Sequence, residues 1–359
     1  MGMAEELREA PDAVRRQQQS LAAPLGELVA RLRSRPPQFA VTCARGSSAH
    51  AATFAKHLIE LHLGIPVAAM APNIATVYRR PLRLGGQLFL AISQSGRSDD
   101  LVETAAMARD AGAVTAAFVN TSESPLAAAC EFVLPIGAGP ELSIAATKSF
   151  VATLAALLRL LAAWSGDERL PDAIDRLPER LISATDLDWA AALGPLADAD
   201  SLIAIGRGST LAIAREAALK LKEIANRHAE AFSGAEFLHG PVALVEPRYP
   251  ILMFMPGDAA DDGLWQLAAD LAGKGAALFI AGQERHKVTG PAILPALAPD
   301  HPETDAVCLI QSFYAMMVRL AERLGIDPDR PRHLQKITRS KGAVADRRLQ
   351  TCARAERWE

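Results

Sequence analysis

Aromatic residues make up only 5% of the chain, and positive charge is not in excess. There are 38 Lys and Arg against 41 Asp and Glu, a formal net charge of −3. That balance argues against nucleic acid or an anionic membrane as the main partner, and no basic-aromatic pattern appears. The four cysteines, Cys43, Cys130, Cys308 and Cys352, lie far apart, without CxxC or other metal spacing. They read as reduced thiols of a cytosolic protein, three of them apolar filler, and no metal or cofactor signature accompanies them. The charged N-terminal stretch MGMAEELREAPDAVRRQQQ lacks the apolar core of a signal peptide. The most apolar helical stretch, Phe150 to Trp164, spans about 15 residues and carries Arg159. It is short for a membrane span and suits a buried or interface helix.

What is present is an alternating α/β texture. A length of 359 residues, half of them apolar, implies two domains with large cores. Residues 3 to 35 read as amphipathic helix, broken near Pro11 and ended by Pro36-Pro37. From Phe39 onward, strands FAVTCA, GIPVAAMAP, LFLAIS, VTAAFVN and FVLPI alternate with helices, and a helix over 145–164 closes the unit. Such alternation predicts a parallel sheet covered on both faces.

The same order recurs with an offset of 162 residues: Ala44-Arg45-Gly46-Ser47-Ser48 matches Gly206-Arg207-Gly208-Ser209-Thr210. LMFMP, ALFIAG, ILPAL and a helix over 305–324 follow in register, which predicts two copies of one α/β unit. The expected layout is an N-terminal helical segment 1–37, a first unit 38–166, a linker helix 167–197, a second unit 198–327 and a tail 328–359.

One stretch of the first unit carries chemistry. LFLAIS runs into Ser93-Gln94-Ser95-Gly96-Arg97-Ser98, and Asp99-Asp100 then open a helix. Strand, hydroxyl-rich loop and helix N-terminus converge N–H groups, hydroxyls and the helix dipole on one anion. No Lys follows the glycine, so this is not a nucleotide P-loop. An ordinary serine-rich turn is the plain alternative. The second unit has Met255-Pro256-Gly257-Asp258 there, so one anion site per chain is expected.

GSS, SQSGRS, the repeat and HGP together resemble the double sugar isomerase (SIS) family. Within it the chain is similar to the isomerase half of glucosamine-6-phosphate synthase, the stand-alone SIS-type glucosamine-6-phosphate deaminases and the fructosamine-phosphate deglycases. The resemblance covers 38 to 339 and is sharpest at SQSG, ATKSF, ALKLKEIANRHAEAF, GAEFLHGP and PRHLQK. It implies two tandem SIS domains, each a five-stranded parallel sheet flanked by helices in a flavodoxin-like three-layer arrangement. It places Ser47, Ser48, Ser93, Gln94, Ser95 and Ser98 in a sugar-phosphate pocket. It makes Glu223 the carboxylate that moves a proton between C1 and C2. His239 becomes the ring-opening histidine, working across a subunit boundary of a homodimer, and Lys336 the Schiff-base lysine. Ala146 stands where the synthase has serine, and 340–359 extend past the family's usual end, to cover the site or not.

The residues themselves leave alternatives. Glu223, near Lys220, Lys222 and Arg227, could belong to a solvated helix face. His239 before Gly240-Pro241 could cap a turn, although its apolar neighbours favour burial. Lys336 is one cation of a basic tail with Arg330, Arg332, Arg339 and Lys341, expected to run extended over the surface. His228, Arg45 and Arg207 read as structural.

With no glutaminase segment before Phe39, the expected reaction is glucosamine 6-phosphate to fructose 6-phosphate plus ammonia. A deglycase, a synthase-like isomerase and a non-catalytic sugar-phosphate sensor are the alternatives. No helix-turn-helix or basic region supports the sensor.

Overall fold

The computed structural model of the chain describes residues 2–284, 286 and 288–336. Helices α1 (Met3–Arg8) and α2 (Ala10–Ser34) come first, with Pro11 in the opening turn of α2. Then follow β1 (Ala40–Ala44), α3 (Ser47–Leu63), β2 (Val67–Ala69), α4 (Asn73–Thr76), β3 (Leu88–Ser93), α5 (Asp99–Asp110), β4 (Val114–Val119), α6 (Pro125–Ala129), β5 (Phe132–Pro135) and α7 (Lys148–Ser165). Helices α8 (Leu170–Thr185) and α9 (Ala190–Asp198) lead into the second unit. It comprises β6 (Ser201–Gly206), α10 (Ser209–Ala225), β7 (His228–Ser233), α11 (Gly234–Phe237), β8 (Pro250–Phe254), α12 (Asp261–Gly273), β9 (Ala277–Ala281), β10 (Ala292–Leu294) and α13 (Pro302–Leu324).

Both sheets have five strands, all parallel, in the orders β2-β1-β3-β4-β5 and β7-β6-β8-β9-β10. Counted within each unit, both orders are 2-1-3-4-5, the flavodoxin-like arrangement, whose strand order reverses between the first and third strands. Every residue of β3 and β4 is buried, as strands covered on both faces require.

Helix α7 is 18 residues long, enough by length and apolarity to cross a membrane, but 72% of it is buried. It packs against α2, α3 and α13, so it is a core helix. Cys43, Cys130 and Cys308 are buried free thiols, each raised by burial to about 12.

Several boundaries differ from expectation. β7 is a strand although its sequence, HAEAFS, carries Glu230 and exposed His228; it lies at the sheet edge, where pairing with β6 defines it. α7 starts at Lys148 rather than 145, because residues 140–147 are held by side chains described below. The chain from Ile326 to Lys336 folds in turns rather than running extended, with His333 in the left-handed region. Residues 340–359, including Cys352, and also Arg339 lie outside the described residues.

The units meet where α3 packs on α10, and a second link joins α3 to the start of α13: His62 Nε2 lies 3.1 Å from Glu303 Oε1. The hydrogen bond to Glu303 raises the His62 imidazole against the opposing effect of burial. Burial would raise Glu303, but His57 and His62 outweigh it and hold the carboxyl at about 2. A raised histidine stabilises the fold below its unfolded value of 6.5, and that contribution is lost as pH rises through its folded value. The depressed carboxylate stabilises above 4.5, and its contribution is lost as pH falls toward 2. Replacing His62 with Asn should therefore lower the unfolding midpoint more at pH 5.5 than at pH 9. Thermal unfolding of both proteins at the two pH values checks this; an equal loss would show that the pair carries no charge-dependent stability.

Candidate active site

The site lies at the strand-order reversal of the first sheet, where the loops after β1 and β3 diverge. Gly46 precedes α3 with φ +53, a conformation that favours glycine. Ser47 and Ser48 open that helix. After β3, Gly96 has φ +62, and a Cβ there would stand 2.1 Å from Ser124 Oγ. The loop therefore closes onto α6 only with glycine. Inside the loop, Gly96 N donates to Ser93 Oγ at 3.2 Å and Arg97 N to Ser95 Oγ at 3.3 Å. Ser98 occupies the N-cap position of α5, yet its side chain makes no cap hydrogen bond and lines the cleft. Two helix N-termini thus face one space with five serines and Gln94, an anion-attracting arrangement.

Arg45 braces the two loops. Its Nε and Nη2 donate to Asp100 Oδ2 at 2.9 and 2.8 Å, and Arg45 also joins the cleft lining. The cleft measures about 470 Å³. Of the nine sequence-predicted residues, eight line it: Ser47, Ser48, Ser93, Gln94, Ser95, Ser98, Glu223 and Lys336. His239 does not. It is exposed, beside Leu238 at 52% exposure, against the burial its apolar neighbours suggested. Of those neighbours Phe237 is buried in the core of the second unit, whereas Leu238 and His239 face outward after α11.

Glu223 reaches the cleft from α10, and its helix face is not solvated. Glu216, Lys220 and Glu223 follow at i, i+4 and i+7 on one face, with Glu216 and Lys220 0% and 1% exposed. Lys220 Nζ lies 2.6 Å from Glu223 Oε2, 3.2 Å from Glu216 Oε1 and 3.1 Å from Ser47 Oγ. His50 Nδ1 and Tyr314 Oη meet Glu216 at 2.8 and 3.1 Å. Burial alone would raise Glu216, but Lys220, His50 and Ser47 outweigh it and hold the carboxyl at about 2. Burial opposes the charge on Lys220 too, and Glu216 and Glu223 reverse that effect, raising its ammonium. Lys220 and Glu223 therefore give the cleft a charged wall, backed by the buried Glu216. The alternative of a solvated face for Glu223 and Lys220 is thereby set aside, although the buried partner Glu216 was not singled out in the sequence. Three charges at helical spacing among Ala217, Ala218 and Leu221 were the available signal.

Lys336 returns from the C-terminal segment to the same cleft. Its Nζ donates to Ser143 O and lies 3.3 Å from Glu141 Oε2. Glu141 is a second residue not singled out in the sequence. Its buried carboxylate accepts from Thr147 N and Ser149 N, each at 3.0 Å, and from Ser149 Oγ at 2.6 Å. It occupies the start of α7 as an anionic cap, which is why the helix begins late. Nothing in GPELS announces this, since the partner amides come from six and eight residues onward. Ala146 and Ile144 also line the cleft.

The row on α10 yields a stability prediction. Removing one member of a buried ion pair leaves its partner uncompensated, at a cost of about 3–5 kcal/mol. Glu216→Gln should destabilise the fold by about that amount in urea unfolding. A loss below about 1 kcal/mol would mean that Lys220 is satisfied by Glu223 and Ser47 alone.

Comparison with known proteins agrees with this architecture. Residues 39–163 and 195–320 each match the SIS domain. Glutamine–fructose-6-phosphate aminotransferase (isomerizing) of Mycobacterium tuberculosis is 32% identical over 318 residues, covering 83% of this chain and 50% of that protein. The Halobacterium salinarum protein of the same name is 36% identical over 313 residues, covering 82% and 50%. The chain thus spans about half the length of the curated relatives it matches. A crystal structure from Silicibacter pomeroyi, assigned as a phosphosugar isomerase, is 44% identical, with a TM-score of 0.87 and coverage of 91% of this chain and 99% of that one. The C-terminal domain of glucosamine-fructose-6-phosphate aminotransferase from Francisella tularensis is 26% identical, with a TM-score of 0.80 and coverage of 92% and 98%. With the SIS match spanning both sheets, the chain belongs to the SIS domain family, as a tandem pair homologous to the isomerase half of those aminotransferases.

Proposed function

We propose that the cleft binds a hexosamine 6-phosphate and converts it to a ketose 6-phosphate and ammonia. Glucosamine 6-phosphate plus water giving fructose 6-phosphate plus ammonia is the reaction that fits best. One observation carries the reading: an anion-type loop with two helix N-termini faces Glu223 and Lys336 across a single space of about 470 Å³. The phosphate sits on Ser48, Ser93, Gln94, Ser95 and Ser98, which leaves C1 and C2 toward the opposite wall. Ser47 is partly committed to Lys220 and shapes that wall.

The chemistry follows from the groups present. His239, delivered by a second copy of the chain, opens the sugar ring by general acid–base transfer. Glu223 then moves a proton between C2 and C1, held in place by the Lys220 ammonium 2.6 Å away. The 2-amino group becomes an imine as C1 is reduced to the alcohol level. Attack of the Lys336 amine on C2 expels ammonia and leaves an imine on the protein. Water hydrolyses that imine to the ketose and returns the free lysine. Lys336 must release a proton to attack, and Glu141, 3.3 Å away, is placed to receive it. The similarity to isomerizing aminotransferases supports the isomerase step, and the same groups serve the reverse, aminating direction when ammonia is supplied.

Ammonia release from glucosamine 6-phosphate by the purified protein tests the reading. Lys336→Ala should reduce turnover at least 1000-fold, and borohydride should trap a sugar adduct on Lys336 located by peptide mapping. Binding of fructose 6-phosphate without ammonia release or adduct would favour a sugar-phosphate sensor.

The exposed position of His239 generates a separate expectation. Mixed dimers of inactive His239→Ala and inactive Glu223→Gln chains should recover about half of wild-type activity per mixed dimer, because one of the two composite sites is intact. No recovery in verified mixed dimers would place every group of a site within one chain.

A further inference from the structure

Residues 140–147, between β5 and α7, carry both acceptors that hold Lys336, yet the loop has no regular structure of its own. Its backbone is fixed instead from behind, by the short helix α1. Glu6 is 0% exposed and accepts from the amides of Leu142 and Ser143, the latter at 3.2 and 3.3 Å from its two oxygens. One turn on, Glu9 Oε2 lies 2.5 Å from Lys148 Nζ, and the same ammonium donates to Pro140 O at 2.5 Å. Asp329 closes the arrangement: its Oδ1 accepts from Ser143 Oγ at 2.6 Å and from Met3 N at 2.7 Å.

Ser143 is the pivot. Its amide is held by Glu6, its hydroxyl by Asp329, and its carbonyl accepts from Lys336. No residue of α1 lines the cleft, so the helix has no direct contact with a bound ligand there.

We infer that α1 is a positioning element for Lys336, and that Glu6 sets where the lysine amine stands by fixing the Ser143 carbonyl. Ser143 is buried, and a buried amide without an acceptor is costly, so removing the Glu6 carboxylate obliges Ser143 to move toward another partner. Misplacement of a reacting group by about 1 Å is enough to slow a reaction on the order of 100-fold. Glu9 and Lys148 hold the two ends of the loop, and Asp329 couples its middle to the segment that carries Lys336. This inference rests on the imine reading above.

The test uses the full chain and fructose 6-phosphate. Wild-type protein is expected to give a borohydride-trapped adduct on Lys336; absence of one in protein that binds the sugar phosphate would overturn the imine reading and this inference with it. Given a wild-type adduct, Glu6→Ala should slow trapping at least tenfold while leaving the dissociation constant of fructose 6-phosphate within twofold. Glu6→Gln, which keeps one acceptor oxygen, should recover most of that rate. Amide exchange at Leu142 and Ser143 should quicken at least tenfold in Glu6→Ala, a change confined to this loop. Unchanged trapping in folded Glu6→Ala would sink the positioning role while leaving the imine chemistry intact. Should Glu6→Ala fail to fold, Asp329→Ala, which removes the oxygen that accepts from Ser143 Oγ and Met3 N, serves instead, with a severalfold slowing expected and an unchanged rate decisive against the inference.

Discussion

The charged row Glu216–Lys220–Glu223 on α10, its first two members buried and its third facing the cleft, is the constraint on which the rest of the site depends. Three charges on one helix face can leave water only if each finds a partner, and here each does. Lys220 lies between the two carboxylates, while His50, Tyr314 and Ser47 supply the remaining hydrogen bonds. Two of those three come from α3, so α3 and α10 are held together by polar groups as well as by Ala and Leu packing. The same contact brings Glu223 opposite the loops after β1 and β3. Joining the two units and assembling the charged wall of the cleft are therefore one structural event.

The fold was legible because it is written in local pattern. LFLAIS and VTAAFV are continuous apolar runs, as central parallel strands must be, and the 162-residue offset exposed the repeat. The serine-rich strand–loop–helix turn at 93–98 was legible for a similar reason: its hydroxyls, glycine and helix start are adjacent in the chain. Glu216 and Lys220 were less so, because a charge at helical spacing looks alike on a wet face and on a buried one. What separates the cases is the neighbouring helix, which belongs to another part of the sequence. Glu141 and Glu6 were invisible for the same reason in stronger form. The groups that Glu141 ties together are up to 195 residues apart, and the amides held by Glu6 lie 136 and 137 residues from it. β7 was overlooked because an edge strand need not be apolar on both faces.

Comparing the two units position by position shows why only one such cleft is formed among the described residues. The phosphate-type loop of the second unit has become Met255-Pro256-Gly257-Asp258. At the same offset, the counterparts of Glu216, Lys220 and Glu223 on α3 are Phe54, Leu58 and Leu61. Phe54 and Leu58 are buried apolar residues, whereas Leu61 is 58% exposed. Both halves of the second site, the anion loop and the charged wall, have gone together.

That joint loss bears on how such a chain can have arisen. Each cleft needs the loops of one unit and the wall helix of the other, so a single unit on its own would hold no complete site. An ancestral half-length protein of this design would have worked only as a symmetric pair, with two identical sites. Fusion of two such genes would free each half from serving both roles. Drift could then strip the loop from one half and the wall from the other, and the surviving cleft would keep every part it needs.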